Sequence, residues 1–447
     1  MVEIPGIVWP PLAQSEQRPL PALLQQLGQL ERAPLEELAA GQQQQLGVLT
    51  FWLAQHSVFH QRRLQAANLA LLQPLTLDTL ANLPPMTRRE LQSGEDELFC
   101  EPPPSHQPVT ETRTSGSSGE SVVVLRTQIS HLFWLAYGMR DHLWWRRDFS
   151  GKLAIIRANL SQERISLNSW GPPASLLTTT GPGHAFSMAM DTATQARLLV
   201  NIDPHYLLTY PNNLADLLRH IESERLSLPS LQQIRSIGET LPSDLRDETR
   251  RVLGVEIVDT YSSQEVGVIA IQCPASGLYH LMAENLIVEV LNEQGVACLS
   301  GETGDVVVTD LHNFATPLIR YAIGDRAEVG PPCICGRNLP TLSRILGRSR
   351  NMVLFPDGTR RWPIVGFYRY REIAPVIQYQ LVQRSRQSID VNLVVERPLV
   401  PQEEIALADV IRENIGYPFN IQFIYHPHRI PVSKGGKFEE FVCELTT

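Results

Sequence analysis

The stretch RTSGSSGESVVVLRT, Arg113 to Thr127, joins a loop rich in serine, threonine and glycine to an apolar run typical of a strand. Glycine tolerates positive φ and lets other groups approach the backbone, so such a loop can turn its N–H groups and hydroxyls toward an anion. The same composition is also typical of a polar hairpin turn. The stretch therefore predicts either a phosphate-binding loop or an ordinary turn.

Two familiar motifs do not match this loop. The chain has no G-x-x-x-x-G-K-[ST] sequence, so the loop is not a Walker loop. Only Ser117 and Ser118 separate Gly116 from Gly119, so the G-x-S-x-G pattern of a nucleophile elbow is not formed either. The segments further along the chain have to decide what the loop does.

The composition is that of an ordinary globular protein with more than one domain. The 447 residues exceed the usual size of one core, and 43% of them are hydrophobic and 19% charged. The net charge of −9 argues against a general nucleic-acid binder, which needs a basic surface. No run of about 18 apolar residues occurs, and the N-terminus lacks the pattern of a signal peptide. We therefore expect a cytoplasmic protein that binds neither nucleic acid nor membrane.

Hydrophobic periodicity predicts an α/β fold. Residues 15–92 have apolar residues at helical spacing, and Thr87 is a plausible N-cap within this part. Four buried-strand patterns then alternate with helical segments, which predicts parallel strands: Leu153–Ala158, Tyr206–Tyr210, Ile234–Glu239 and Val255–Tyr261. The helical segment between the last two has Ser243 as predicted N-cap and Gly254 just past its end.

The pattern changes again toward the C-terminus, and this change predicts the domains. After Gly267 the pattern is mainly that of β-strands, and the last hundred residues resemble a separate unit. We expect a large N-terminal α/β domain with mixed sheets over residues 1–346, with a helical start to about residue 100 and a β-rich subdomain over about 267–346. A small mobile α+β lid domain is expected over residues 347–447.

Further segments accompany the opening loop in a fixed order. They are GET (Gly238–Thr240), YSSQE (Tyr261–Glu265), IGDR (Ile323–Arg326), ILGRSRNM (Ile345–Met352) and PVSKGGKFEEF (Pro431–Phe441). Each segment alone is equally typical of a packed tyrosine, a turn carboxylate or a solvated lysine. Together they resemble the AMP-forming adenylating enzymes, and most of all the phenylacetate–CoA ligase family. The narrower resemblance depends on LANLPPMTRREL (Leu80–Leu91) and CICGRNLPTLSRILGR (Cys333–Arg348).

The resemblance implies an activity and answers the question of the opening loop. Such enzymes use ATP and Mg²⁺ to convert a small carboxylic acid to acyl-AMP with release of pyrophosphate, and then pass the acyl group to a thiol. The protein has to bind a polyphosphate and stabilise charge on phosphorus. The residues that match the family's phosphate loop are Thr114, Ser115, Gly116, Ser117, Ser118 and Gly119.

The resemblance also assigns the other contacts to nucleotide and metal. Glu265 matches the acid that holds Mg²⁺, although Gln264 replaces the usual threonine before it. Tyr261 would offer an aromatic face to adenine, and Asp325 would accept hydrogen bonds from the ribose. The remaining nucleotide contacts are expected from the backbone edge of Gly238, Glu239 and Thr240 and from the guanidinium of Arg348.

Two further positions concern the C-terminal domain. Lys437 matches the catalytic lysine, which places a positive charge on the developing negative charge of adenylation; Lys434 is the rival, but Gly436 before Lys437 fits the family pattern better. The family's hinge is normally Asp or Lys. Arg350 occupies that place here, which bears on the domain rotation that precedes thiolation.

A second metal site is suggested by the cysteines. Cys273, His280, Cys333 and Cys335 are ligands of the type that Zn²⁺ prefers, although their spacing is not that of a standard zinc finger. Some family members are similar in having a structural zinc. The alternative is free thiols packed in the β-rich subdomain.

The acid and the acceptor remain open. The acyl pocket is expected between the Trp134–Trp145 helix, the Thr178–Asp191 stretch and the end of the strand at Ser236, with His184 and Phe186 as candidates for its wall. No carrier domain follows Lys437, so the acceptor is expected in trans: free CoA, favoured by the resemblance, a carrier protein, or an amine. A homodimer is left open, and so is a non-catalytic nucleotide-binding protein.

Overall fold

The structure is a computed structural model that describes residues 4–12, 19–70, 73–113, 122–158, 160–348, 352–361, 370, 372–427, 430–431 and 440–445. The chain divides into two compact units. The first unit extends to Ile345, and the second begins at Leu346. Each unit has its own hydrophobic core and is described by itself.

Helices dominate the start of the first unit and later alternate with strands. The α-helices described are α1 (Pro19–Leu30), α2 (Leu35–His56), α3 (Val58–Ala66), α4 (Leu77–Leu80), α5 (Arg88–Ser93), α6 (Glu95–Leu98), α7 (Gln128–Trp144), α8 (Thr192–Ile202), α9 (Pro211–Ser223), α10 (Ser243–Leu253) and, in the second unit, α11 (Pro401–Ile415). Short 3₁₀ turns occur at Pro104–His106 and Ala174–Leu176. The predicted helical start of the chain is confirmed for the described residues.

The strands of the first unit are β1 (Thr110–Arg113), β2 (Val123–Arg126), β3 (Leu153–Arg157), β4 (Arg164–Leu167), β5 (Gly183–Ser187), β6 (Tyr206–Thr209), β7 (Gln233–Ile237), β8 (Glu256–Ser263), β9 (Gly267–Gln272), β10 (Tyr279–Leu281), β11 (Leu286–Leu291), β12 (Thr303–Asp310), β13 (Tyr321–Val329) and β14 (Thr341–Arg348). Strands β1 and β2 form an antiparallel hairpin on either side of the opening loop. The others form a sheet in the order β11-β12-β13-β14-β10-β9-β8-β7-β6-β3-β5-β4.

The centre of this sheet is parallel, as its buried apolar runs predict. Strands β5, β3, β6, β7 and β8 lie side by side in parallel, and helices connect several of them. Helices α8 to α10 cover one face, where Leu217, Ile234 and Ile257 belong to the same core. On the other face, Met139 of α7 packs with Leu153 and Tyr206. Ligands of such sheets bind at the carboxyl ends of the strands, so this edge is where a site is expected.

Antiparallel pairing takes over from β9 onward. Strand β8 pairs with β9, β9 with β10, and β10 with β14, while β11, β12 and β13 form a meander. Val306, Val308 and Tyr321 are fully buried in the core of this part. The sheet is therefore mixed, as the change of pattern after Gly267 indicates.

Local signals in the sequence account for several helix ends. The Thr87 hydroxyl accepts a hydrogen bond from the backbone N–H of Glu90, and the Glu90 carboxylate accepts one from the backbone N–H of Thr87, so the predicted N-cap is confirmed as a capping box. Gly254 follows α10 with φ +70°, which glycine tolerates best. The prediction that Ser243 caps α10 is wrong, because the helix already begins there and Pro242 takes the cap position.

The second unit is a small α+β structure. Its strands are β15 (Val353–Leu354), β16 (Arg360–Arg361), β17 (Val376–Ser385), β18 (Ser388–Val395), β19 (Asn420–Tyr425) and β20 (Phe441–Cys443). Four of them form a sheet in the order β19-β18-β17-β20. Leu407 and Ile411 of α11 pack on this sheet against Leu381 and Val391.

The architecture agrees with the predicted fold class, a large mixed α/β unit followed by a smaller α+β unit. Among the helices of the described residues, none combines the length and the apolar character needed to cross a bilayer.

Candidate active site

The turn after β8 holds a buried carboxylate. Glu265 is 2% exposed, and its Oε1 accepts a hydrogen bond from Arg88 Nη1 at 3.1 Å. Arg88 is the first residue of α5, so the capped start of that helix positions it. Arg126 at the end of β2 donates from Nη2 to the Gln264 carbonyl at 2.6 Å. Glu265 therefore lies close to two guanidinium groups, which keep its charge compensated away from water.

Arg126 lies between two acidic groups. Burial lowers its pKa, while the carboxylates of Asp310 and Glu265 act in the opposite direction. Asp310 at the end of β12 is itself buried, which raises the pKa of its carboxyl group to about 6. The sequence analysis did not find Arg88, Arg126 or Asp310, because Arg88 is separated from Glu265 by 177 residues and no local pattern records such a pairing.

Tyr261 and Asp325 lie together in the same core. Tyr261 of β8 donates its hydroxyl to Asp325 Oδ2 of β13 at 2.8 Å, and both side chains are buried. Gly324 precedes the acid with φ +82°. Two segments that are 64 residues apart in sequence thus meet in a direct contact, as expected for residues that serve one ligand.

Gly238, Glu239 and Thr240 form the turn that follows β7. Gly238 has φ +76°, and a Cβ there would lie 3.1 Å from Cε1 of Tyr210, so both conformation and space favour glycine. Glu239 Oε2 accepts from the backbone N–H and side-chain amide of Asn212 at 3.1 and 3.0 Å. Thr240 is exposed. The turn therefore presents its backbone at the carboxyl edge of the parallel strands.

The candidates for the acyl pocket do not all lie at this edge: Phe186 and Ser236 lie toward the carboxyl ends of β5 and β7, whereas His184 pairs with Ala154 near the start of β3. Phe186 has no exposed surface and belongs to the core under α8 and α9. Ser236 is buried and donates its hydroxyl to Asp259 Oδ1 at 2.5 Å. His184 is half-buried, with Nδ1 3.1 Å from Ser166 Oγ on β4. Their role in acid binding stays a prediction.

Several predicted residues lie outside the described part of the chain. These are the phosphate loop Thr114, Ser115, Gly116, Ser117, Ser118 and Gly119, the hinge residue Arg350, and both Lys434 and Lys437. Arg348 is described as the last residue of β14 and is half-buried. The functions assigned to all of these residues stay predictions.

The cysteine and histidine side chains of the predicted zinc site are brought together. The ligand atoms of Cys273, His280, Cys333 and Cys335 all lie within 4.8 Å of one another. The Sγ atoms of Cys273 and Cys333 are 3.7 Å apart, and Cys335 Sγ lies 3.3 Å from His280 Nε2. The antiparallel pairing of β10 with both β9 and β14 produces this arrangement.

The surroundings of His280 suit a metal ligand. Its Nδ1 lies 3.2 Å from the Leu339 carbonyl, so this nitrogen donates and Nε2 is left as the acceptor that faces Cys335. Burial lowers the pKa of His280 to about 4, which keeps the ring neutral near neutral pH. The guanidinium of Arg337 lies 4.1 Å from the ring centre of Trp144, and Glu31 accepts hydrogen bonds from both residues.

With this geometry established, comparison with known proteins identifies relatives. No family model matches the chain. A phenylacetate–coenzyme A ligase of Thermus thermophilus is 22% identical over an alignment of 449 positions, which covers 92% of this chain and 97% of the relative. The phenylacetate–coenzyme A ligase of Escherichia coli is 24% identical over 393 residues, 81% of this chain and 83% of the relative.

A solved structure shows the same fold. The 2-hydroxyisobutyryl-CoA ligase in its postadenylation state, in complex with 2-HIB-AMP, matches with a TM-score of 0.74 at 16% identity, covering 93% of this chain and 92% of that one. The same ligase in an open conformation with 2-HIB-AMP and CoA matches with a TM-score of 0.61. Sequence and fold together therefore relate this chain to the phenylacetate–coenzyme A ligases among the AMP-forming adenylating enzymes.

Proposed function

We propose that this protein is an ATP-dependent, AMP-forming ligase that activates a small carboxylic acid as acyl-AMP, releases pyrophosphate and transfers the acyl group to CoA. The observation that carries the proposal is the grouping of Glu265, Tyr261 and Asp325 on β8, its following turn and β13. It is supported by similarity to phenylacetate–coenzyme A ligases along 92% of the chain.

The nucleotide would bind at the carboxyl edge of the parallel strands. Tyr261 offers its ring to adenine while its hydroxyl holds Asp325, so that the carboxylate is oriented toward the ribose hydroxyls. The turn Gly238–Thr240 would form the neighbouring edge, with Thr240 exposed. Arg348 adds a cation for the ribose or the phosphates.

The phosphates would be held by the loop Thr114–Gly119 and by Mg²⁺. Glu265 fits this ion because it offers hard carboxylate oxygens. One of them, Oε1, accepts a hydrogen bond from the guanidinium of Arg88. The bound ion would neutralise charge on the phosphate oxygens.

In the adenylation step, a carboxylate oxygen of the acid attacks the α-phosphorus of ATP, and the bond to pyrophosphate breaks. Lys437 would stabilise the charge that develops on the phosphorus oxygens. In the second step, the thiol sulfur attacks the acyl carbon and AMP leaves. We assign the lysine to a lid domain over residues 347–447, with the N-terminal domain over 1–346 and Arg350 as hinge.

CoA is the acceptor that the relatives described above support, since they are coenzyme A ligases. A separate carrier protein or an amine is the alternative. We place the enzyme in the cytoplasm, where ATP and CoA are supplied. A homodimer stays a prediction.

We also propose that Cys273, His280, Cys333 and Cys335 bind one structural Zn²⁺. In a tetrahedral site with Zn–S bonds of about 2.3 Å, two sulfurs lie about 3.8 Å apart. The separation of 3.7 Å between Cys273 and Cys333 fits this geometry. A bound zinc would tie β9 and β10 to the turn before β14 and leave no open coordination position for catalysis.

The activity is tested with a panel of carboxylic acids and purified full-length protein. We expect acid-dependent pyrophosphate release and, by mass analysis, an acyl-CoA product when CoA is added. If acyl-AMP accumulates in the presence of CoA but transfers its acyl group to a carrier protein or an amine, then that protein or amine is the acceptor and CoA is not. Nucleotide binding without pyrophosphate release on any acid would favour a non-catalytic nucleotide-binding protein.

The zinc proposal has an independent test. Elemental analysis should find about one zinc per chain, and Cys335→Ala should lose it together with thermal stability. Cys298→Ala is the matched control, because this cysteine lies outside the cluster. If the wild-type protein contains no zinc and a chelator leaves its melting temperature unchanged, the cysteines of the cluster are packed thiols and not metal ligands.

A further inference from the structure

Basic residues line the sheet face that α7 covers. Along β3, Leu153 belongs to the core under α7, and the alternation of side chains places Arg157 on the same face at the carboxyl end of the strand. Ile155 lies opposite Leu208 of β6, and Leu208 lies opposite Arg235 of β7. This register puts Arg235 on the same face as Arg157, two strands away and level with Ile155, so that Arg157 lies two residues nearer the carboxyl edge. Both are near the edge where adenylation is proposed.

Asp141 of α7 forms an ion pair with Arg235, one of these two arginines. Asp141 Oδ2 lies 2.6 Å from Arg235 Nη2 and 2.8 Å from Arg147 Nη1. Arg147 Nε donates to Gln233 Oε1 at 2.7 Å. The side chains of Asp141 and Arg147 are only 1% exposed, but Arg235 is 14% exposed, so it is the member that solvent or a ligand reaches.

This cluster has unused hydrogen-bonding groups. Among the described residues, Arg235 Nε, Arg147 Nη2 and Asp141 Oδ1 are buried and have no hydrogen-bond partner. Buried N–H groups are nearly always satisfied by protein, water or ligand. Arg235 Nε is an unused N–H donor on the most exposed of these three side chains, and a bound anion would satisfy it.

The charges of the cluster do not balance. Burial and the nearby arginines lower the pKa of His142 well below its usual value, so the imidazole beside Arg147 is neutral. Asp141 therefore compensates one of two guanidiniums. Arg157, whose side chain is exposed, adds another positive charge at the end of β3, since this side chain has no ion pair or hydrogen bond within the described residues. Two positive charges remain without a carboxylate partner.

We propose that the acid activated by this enzyme carries a second anionic group, such as the far carboxylate of a short dicarboxylic acid, which Arg235 and Arg157 bind. This inference depends on the proposed function. Arg235 and Ile237 are two strand residues apart, about 7 Å at roughly 3.3 Å per residue. That is about the length of a dicarboxylic acid of five or six carbons. One carboxylate can thus reach the arginines while the other lies beside the turn at Gly238.

The test compares acids of equal length that differ in one terminal carboxylate: pentanoic with glutaric acid, and 4-methylbenzoic with terephthalic acid. Pyrophosphate release is measured with full-length protein, ATP and Mg²⁺. We expect kcat/KM to be at least tenfold higher for the diacid of the preferred pair. Arg235→Met should lower kcat/KM for the diacid, relative to that for the monoacid, about 30-fold or more, the usual effect of losing a buried charge partner. Arg157→Met, at an exposed position, should lower the same ratio by a smaller factor.

Arg157→Met protects the test against misfolding, because Arg157 has no partner among the described residues that its loss would leave unpaired. Arg197→Met, an exposed arginine of α8, is the matched control and should leave both acids unaffected. Preference for monoacids or for neutral hydroxy acids, or equal losses on both members of a pair, would overturn the inference while the ligase assignment stands. No pyrophosphate release with any acid would overturn both.

Discussion

The salt bridge between Arg88 and Glu265 should contribute measurably to folding, and a double-mutant cycle can isolate its contribution. The relevant variants are Arg88→Met, Glu265→Gln and the two combined. The carboxylate is 3% exposed and the guanidinium 26%, so the pair is neither fully buried nor on the surface. Surface pairs contribute about 0–1 kcal/mol, whereas breaking a buried pair costs about 3–5 kcal/mol. We therefore expect a coupling free energy of about 1–3 kcal/mol.

The assay is urea unfolding of the four proteins, followed by tryptophan fluorescence. Six of the seven tryptophans lie before residue 346, so the signal reports mainly on the first unit: Trp9, Trp52, Trp134, Trp144, Trp145 and Trp170. Arg88→Met alone should be destabilising, because it leaves a buried carboxylate with Arg126 as its remaining cation. A coupling below about 0.5 kcal/mol would refute the reasoning, since Glu265 would then be compensated without Arg88.

Three other variants test separate parts of the interpretation. Lys437→Ala should abolish acyl-adenylate formation but leave ATP binding nearly unchanged, since its charge acts in the transition state. Tyr261→Phe keeps the ring but loses the hydroxyl that Asp325 accepts, so the KM for ATP should rise about 2- to 10-fold, as measured by pyrophosphate exchange. The third concerns His60, whose pKa is lowered to about 3 by burial, whereas an unfolded chain titrates near 6.5. Between these values the unfolded state binds the extra proton, so His60 makes the free energy of unfolding rise by about 1.4 kcal/mol for each unit of increasing pH. His60→Gln should reduce the slope of the free energy of unfolding against pH by about that amount in urea unfolding at pH 4 to 6.

Each of these variants has a control. If Lys434→Ala abolished acyl-adenylate formation and Lys437→Ala did not, the catalytic lysine would be Lys434 and not Lys437. Tyr279→Phe removes a similar buried hydroxyl, which donates to Asp259 Oδ2 at 2.9 Å, and should affect stability but not the KM for ATP. His56→Gln changes an exposed imidazole and should keep the wild-type pH slope.

Local chemistry made the fold class and the enzyme superfamily predictable. Buried apolar runs such as Leu153–Arg157 favour parallel strands covered on both faces, and Thr87 and Gly254 mark helix ends through contacts within a few residues. The order of the motifs along the chain can likewise be recognised without knowing any contact between them. Ser243 was misassigned because a serine at a helix start can occupy the cap or the first turn, and one residue separates the two.

The cluster of Cys273, His280, Cys333 and Cys335 could be predicted only in part from the sequence. The sequence suggested the ligands from the type of side chain, but the spacing between His280 and Cys333 says nothing about distance in space. Pairing of β10 with β9 on one side and β14 on the other brings the four ligand atoms within 4.8 Å. Residue type was thus visible in the sequence, and proximity was not.

The residue types and their local order are enough to indicate which residues can bind ATP, metal and acid, because that ability belongs to the side chains. Tertiary structure alone decided that Arg88 faces Glu265 and that Asp141 shares its charge between Arg147 and Arg235. Such pairings depend on strand register and on the docking of helices formed far away in the chain. A charge whose partner lies 177 residues away leaves no periodic or local pattern, so its environment exists only once the chain has folded.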